Sequence, residues 1–266
     1  MPAPVQSFFH PDSHTFSYVV HDPATRHAAL IDAALDYDAD SGTLSDAALQ
    51  PLLDHVRDNE LDVRWLLETH AHADHVSAGR MLKARFPQAT LAIGEGIRAV
   101  QATFAPRLAL DLSAMPEAFD HLFADGERFA LGTLDARVIA VPGHTSDSIA
   151  YLIDDALFPG DSLFMPDSGT ARCDFPGGDA AQLYRSIQRL LSLPGQTRVF
   201  VCHDYGAGGR DVANQTTISE QRAHNIHVRD GVTEAEFVAM RQARDATLAE
   251  PRLMQPAVKA NLLGGG

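Results

Sequence analysis

The chain has 266 residues, 45% of them hydrophobic, enough for a substantial core in one large domain or two small ones. Thirty-five Asp and Glu against 21 Lys and Arg give a formal net charge of −14, which repels phosphate backbones and argues against a nucleic-acid partner. No apolar run approaches the ~20 residues of a membrane span, no basic-then-apolar leader opens the chain, and two cysteines make no disulfide framework, so a cytoplasmic protein is expected.

Residues 15–20 (TFSYVV) and 27–32 (HAALID) read as strands joined by a turn at HDPAT. Ser45 is expected to cap a helix with Leu49, Leu52, Leu53 and Val56 on one face. A buried strand at 63–67 follows, then a helix at 77–86 closed by Pro87, a short strand at 90–93 and a helix at 96–104. Further strands are predicted at 128–130, 134–141, 148–153 and 156–158, a helix at 179–191 and a strand at 198–202. Helices are expected at about 217–226 and 233–248, and the closing GGG is expected to be disordered. Two runs of strands interrupted by helices predict an α/β layered sandwich. We read a single domain over 1–266: a core at about 5–205, a helical extension at about 212–250 and a flexible tail at 251–266.

Four polar clusters directly follow predicted strands: HAHADH (70–75), PGHTSD (142–147), PGDS (159–162) and CHDY (202–205). Together they offer His70, His72, Asp74, His75, His144, Asp161 and His203. Imidazole and carboxylate are ligands of zinc and iron(II), and strand ends on one sheet edge converge in space. In an extended turn, the i, i+2 spacing lets His70 and His72 reach one ion, while Asp74 and His75 face a second position. A lone histidine is ordinarily a satisfied polar residue, and His10, His14, His21, His27, His55, His121, His224 and His227 are mostly read that way. Cys202 continues a buried strand and is read as packing, whereas Cys173, in a long loop, is a candidate catalytic or ligand-supporting residue.

These clusters resemble the metallo-β-lactamase superfamily, over about 16–205. The resemblance implies a four-layer αβ/βα sandwich with metal at the edge of two facing sheets. His75 stands where zinc β-lactamases carry Arg, and His72 where flavodiiron proteins carry Glu. The narrower match is to persulfide dioxygenases of the ethylmalonic-encephalopathy type and the bacterial β-lactamase-hydrolase-like subgroup, related to glyoxalase II. It rests on FSYVV with ALID, THAHADH, PGHT, Arg172-Cys173-Asp174-Phe175, HDY at 203–205 and Gln221-Arg222.

That resemblance implies one iron(II) held by His70, His144 and Asp161, oxidising glutathione persulfide with O2 to sulfite and glutathione. His72, Asp74, His75 and His203 would support those ligands, with Asp74 a candidate catalytic group, or they would hold a second metal. The same residues fit one or two zinc ions in a glyoxalase II-like thioester hydrolase. A non-catalytic metal-binding or sulfur-sensing module is the remaining alternative. Arg172, Tyr205 and Arg222 are the residues expected to meet the substrate, and a homodimer is implied by the family.

Overall fold

The computed structural model describes residues 2–111 and 118–266. Its first half runs β1 (Val5–His10), β2 (Thr15–His21), β3 (His27–Ile31), β4 (Ala34–Asp38), β5 (Thr43–Ser45), α1 (Gln50–Asp58), β6 (Asp62–Leu67), β7 (Val76–Ser77), α2 (Gly79–Arg85), β8 (Thr90–Gly94), α3 (Ile97–Phe104) and β9 (His121–Phe123). The second half runs β10 (Arg128–Leu131), β11 (Leu134–Ala140), β12 (Ile149–Ile153), β13 (Ala156–Phe158), α4 (Ala180–Leu191), β14 (Arg198–Phe200), β15 (Gln215–Thr217), α5 (Ile218–His224), α6 (Glu234–Asp245) and α7 (Met254–Asn261).

Two six-stranded sheets result, in the orders β1-β2-β3-β6-β8-β9 and β10-β11-β12-β13-β14-β15. In the first, β1 to β3 are antiparallel and β3, β6, β8 and β9 are parallel. The layering follows from the two-residue period of a strand. Tyr18, Val20, Ala29 and Ile31 face a core shared with Val138, Tyr151, Phe158 and Phe200 of the second sheet. Their neighbours Val19, Ala28 and Leu30 face the other way, onto Leu52, Leu53 and Val56 of α1 and Leu82 of α2. On the far side, Ile139, Leu157 and Val199 pack on Leu183, Ile187 and Leu190 of α4 and Phe237 of α6. This is the four-layer sandwich.

Two expectations are corrected. Ser45 ends β5 instead of capping α1; a 3-10 turn at Ala47–Leu49 intervenes, and Pro51, whose φ is preset for a first helical turn, starts the helix. The stretch from 251 is not a loose tail: it forms α7, with Ala257, Val258, Asn261 and Leu262 buried. The closing glycines dock on α2, where Gly264 O accepts from Arg80 N, Gly266 N donates to Ser77 O and Gly266 O accepts from Met81 N. At Gly265 (φ +90°) a Cβ would lie 2.2 Å from Ser77 O, so glycine there permits close approach. Among the described residues no helix is long and apolar enough to cross a membrane.

Candidate metal centre

The turns after β6, β11, β13 and β14 meet at one edge between the sheets and carry the predicted ligands there. Gly160 lets the Asp161 turn lie flat on its neighbour: φ is +52°, and a Cβ would meet Thr69 Oγ1 at 2.6 Å. Asp161 Oδ2 lies 3.9 Å from His70 Nε2 and 3.6 Å from His144 Nε2, and Asp161 Oδ1 lies 3.3 Å from His203 Nε2. The donor atoms of His70, His144 and Asp161 all lie within 4.8 Å of one another, and so do those of a second group, His72, Asp74, His75 and His203. All seven predicted ligands are therefore brought together.

Four buried atoms in these groups have no hydrogen-bond partner among the described residues: His72 Nδ1, His75 Nε2, Asp161 Oδ1 and His203 Nε2. Such orphans are costly unless an ion or water satisfies them. Imidazole nitrogens and carboxylate oxygens converging in this way suit zinc or iron(II).

The other ring nitrogens are tied back. His144 Nδ1–H donates to Arg172 O at 2.6 Å; a carbonyl only accepts, so Nε2 is left with its lone pair toward Asp161. Thr69 Oγ1 donates to Asp32 Oδ2 (2.9 Å) and accepts from His70 Nδ1 (3.1 Å), which frees His70 Nε2 in the same way. His72 Nε2 donates to Asp32 Oδ1 at 3.2 Å. Burial, then the charge of His72, holds His70 and His75 below the ordinary imidazole range, so both are neutral donors. Burial also works against a charge on His72, but Asp32 overrides it and carries His72 to about 10. A metal taking His72 Nδ1 therefore displaces a proton. Asp161 is pushed up by burial, yet His203, His70 and His144 hold it below the usual carboxylate range.

A cavity of about 610 Å3 opens over Asp74, His144, Asp161 and His203. Tyr205 lines it, 57% exposed, with its ring nearly parallel to that of His203. Arg172 also lines it, but its guanidinium is held by both oxygens of Asp174 (2.6 and 2.7 Å) and by Ala249 O (2.7 Å). Arg222 lies elsewhere, exposed and paired with Asp230. Cys173 is buried in the α4–α6 core, its thiol 3.5 Å from Asp245 and pushed up to about 12 by burial and that carboxylate. It is a protonated packing group rather than a thiolate.

Sequence reasoning missed three supports. Asp32 directly follows β3 and fits the strand-end rule that found the candidate ligands, yet drew no role. Asp147 Oδ2 accepts from Ala71 N at 2.8 Å, although only His144 was singled out in its cluster. Asn261 of α7 donates to His72 O and His75 O and accepts from Ser77 N, all at 2.9 Å, and no local signal marks it.

A family model described as the Metallo-beta-lactamase superfamily matches residues 10–203, the span that carries all seven candidate ligands. The chain belongs to the metallo-β-lactamase superfamily. Within this superfamily it is 46% identical to a probable metallo-hydrolase of Burkholderia pseudomallei, covering 98% of this chain and 92% of that one. It is 27% identical to the mitochondrial persulfide dioxygenase ETHE1 of Bos taurus, covering 99% and 89%. The crystal structure of ETHE1 from Myxococcus xanthus superposes with a TM-score of 0.80 at 31% identity, covering 99% of this chain and 100% of that one.

Proposed function

We propose that this metallo-β-lactamase-fold chain is an iron-dependent persulfide dioxygenase acting on a low-molecular-weight thiol persulfide of the glutathione type. The observation that carries the reading is the grouping of His70, His144 and Asp161 beneath an open cavity. Two histidines and one carboxylate on one face leave positions free for two reactants, the arrangement of non-haem iron(II) oxygenases. The similarity to ETHE1 in both sequence and fold supports it. The reaction balances as RSS⁻ + O2 + H2O → RSH + SO3²⁻ + H⁺: the outer sulfur gives four electrons to O2, and the S–S bond breaks toward the carrier thiol.

Bound at this triad, iron would supply the electron exchange between persulfide and dioxygen. The chain's own residues do the rest. Arg172 O and Thr69 fix the His144 and His70 tautomers, and Asp32 anchors Thr69. Asp74 stays ionised, because His203 and His75 outweigh its burial, and it presents an acceptor at the cavity floor. Tyr205, Phe164 and Phe175 give the cavity an aromatic wall.

A second reading has its own support. His72, Asp74, His75 and His203 form a complete second donor group, as a zinc-dependent thioester hydrolase would need. Oxygen uptake and sulfite release with glutathione persulfide, on anaerobically prepared iron-loaded and zinc-loaded protein, separate the two. Iron-dependent uptake with matching sulfite, abolished by His144→Ala, is expected. No uptake from the iron form, with zinc-dependent cleavage of S-lactoylglutathione, would overturn the dioxygenase in favour of the hydrolase.

A further inference from the structure

Behind the second donor group, away from the cavity, lies a line of polar side chains that the metal centre has not yet accounted for. It starts at Asp36, whose side chain is 32% exposed, and runs inward through His10, Ser13 and Thr15. Asp36 Oδ1 lies 3.2 Å from His10 Nε2, and His10 Nδ1 lies 2.6 Å from Ser13 Oγ. Ser13 Oγ lies 2.7 Å from Thr15 Oγ1, which reaches His75 Nδ1 at 3.3 Å and His203 Nδ1 at 3.4 Å. His10 ends β1, Thr15 begins β2, and the two are register partners in that hairpin, both of them buried. The hairpin turn thus carries a hydrogen-bonded line from the surface to two of the candidate ligands.

One backbone group fixes the direction of this line. Ser13 N–H donates to His10 Nδ1 at 3.3 Å, so Nδ1 carries the lone pair and the ring proton is on Nε2, facing the Asp36 carboxylate. The Ser13 hydroxyl then gives its one proton to His10 Nδ1 and accepts from Thr15. The Thr15 proton points toward Ser13, whose carbonyl also lies 3.4 Å away, and not toward the histidines. Thr15 Oγ1 therefore offers lone pairs to His75 and His203, and each ring holds its proton on Nδ1. Asp74 Oδ2, 3.4 Å from His75 Nδ1, and His14 O, 3.3 Å from His203 Nδ1, are acceptors as well and agree with that direction. The Nε2 of both rings, buried and unpartnered among the described residues, keeps its lone pair for an ion. We propose that His10 is a positioning residue for the donor group of His72, Asp74, His75 and His203. Through Ser13 and Thr15 it sets the tautomers of His75 and His203 before a metal binds. It plays this part whichever reaction the centre runs.

Nitrogen NMR of the full-length protein, with its histidine rings labelled, reads the tautomers directly in metal-free and zinc-loaded samples. In metal-free wild type, His10 should carry its proton on Nε2, and His75 and His203 should carry theirs on Nδ1. A His10 ring protonated on Nδ1, or on both nitrogens at neutral pH, would overturn the direction of the line. His10→Phe removes the acceptor and frees both hydroxyls to turn, so the metal-free rings of His75 and His203 should become tautomer mixtures. Zinc affinity, titrated against a chromophoric chelator, should fall about tenfold in the same variant. His10→Asn, whose Oδ1 can take the place of Nδ1, should restore both readouts. Urea unfolding of the metal-free variants reads stability apart from either effect. Pure Nδ1–H tautomers with wild-type zinc affinity in His10→Phe, or equal losses in His10→Phe and His10→Asn, would sink the proposal. Neither readout uses turnover, so a failure to oxidise glutathione persulfide removes the dioxygenase reading and leaves the role of His10 standing.

Discussion

Removing the Asp32 carboxylate should loosen the metal without touching a ligand. Asp32 is buried and accepts from Thr69 N (2.8 Å), Thr69 Oγ1 (2.9 Å) and His72 Nε2 (3.2 Å). Through Thr69 Oγ1 it sets the tautomer of His70. Asp32→Ala deletes three acceptor interactions, at about 1 kcal/mol net each, and leaves the Thr69 N–H buried without a partner, so the metal-free fold should lose about 4 kcal/mol. Partners of metal-binding histidines are typically worth about 10- to 100-fold in affinity; here His72 loses its partner and Thr69, the partner of His70, loses its anchor. Asp32→Asn keeps one acceptor oxygen but gives up the charge and the second acceptor, so about tenfold is expected for it. Zinc titrated against a chromophoric chelator gives the affinity and stoichiometry, and urea unfolding of the chelator-treated protein gives the stability separately. If both variants bind zinc as tightly as wild type while Asp32→Ala is destabilised, the Asp32–Thr69–His70 chain does not orient the ligand, and the reasoning fails.

Two further effects lie away from the metal. His227 accepts at Nδ1 from Thr170 N (3.0 Å), which a neutral imidazole can do, and it is held down at about 4 by burial and then by Arg241 and Arg244. Its folded pKa lies below the unfolded ~6.5, so its contribution is present above pH 6.5 and is lost as the pH falls toward 4, by about 3 kcal/mol across that window. His227→Gln should flatten the loss of unfolding free energy between pH 6.5 and 4; an unchanged slope would refute it. Arg241 pairs with Asp245 in the core beside the cavity, and Asp245 also accepts from Cys173 N at 3.0 Å. Arg241→Met should cost about 3–5 kcal/mol in urea unfolding by stranding the Asp245 charge. The double variant Arg241→Met with Asp245→Leu should recover most of that, and additive losses would contradict the pairing.

The sandwich was legible because strand alternation and helical faces are local. The alternation in TFSYVV already sends Tyr18 and Val20 one way and Val19 the other. The grouping of the seven candidate ligands was legible because their clusters follow strand ends, where chain direction alone fixes the neighbourhood. What could not be read depends on partners far along the chain. Asn261 holds the carbonyls of His72 and His75 from 189 and 186 residues away, and nothing in MQPAVKANLLGGG marks it for that task. The closing glycines read as disorder because composition records their freedom but not Ser77, against which they pack. The arginines expected to meet the substrate show the same limit: Arg172 and Arg222 look alike as residues, and only the structure shows that one lines the cavity and that both are paired, with Asp174 and Asp230.

Charge around the centre links the number of ions to the state of one histidine. At pH 7 Asp32, Asp74 and Asp161 are held ionised by their histidine neighbours despite burial. Glu68 is pushed up to about 8 by burial, then by Asp32, and keeps its proton. His70 and His75 are neutral. Three negative charges in a buried pocket require nearly equal compensation, since an uncompensated buried charge costs several kcal/mol. One divalent ion at His70, His144 and Asp161 reaches balance if His72 keeps its proton against Asp32. Two ions reach it only if His72 gives up that proton and a hydroxide joins them. On the proposed reading, a protonated, Asp32-paired His72 goes with a single ion, and a His72 that has given up its proton goes with two. Asp32 sits where that choice is made, because its carboxylate is what raises the proton affinity of His72.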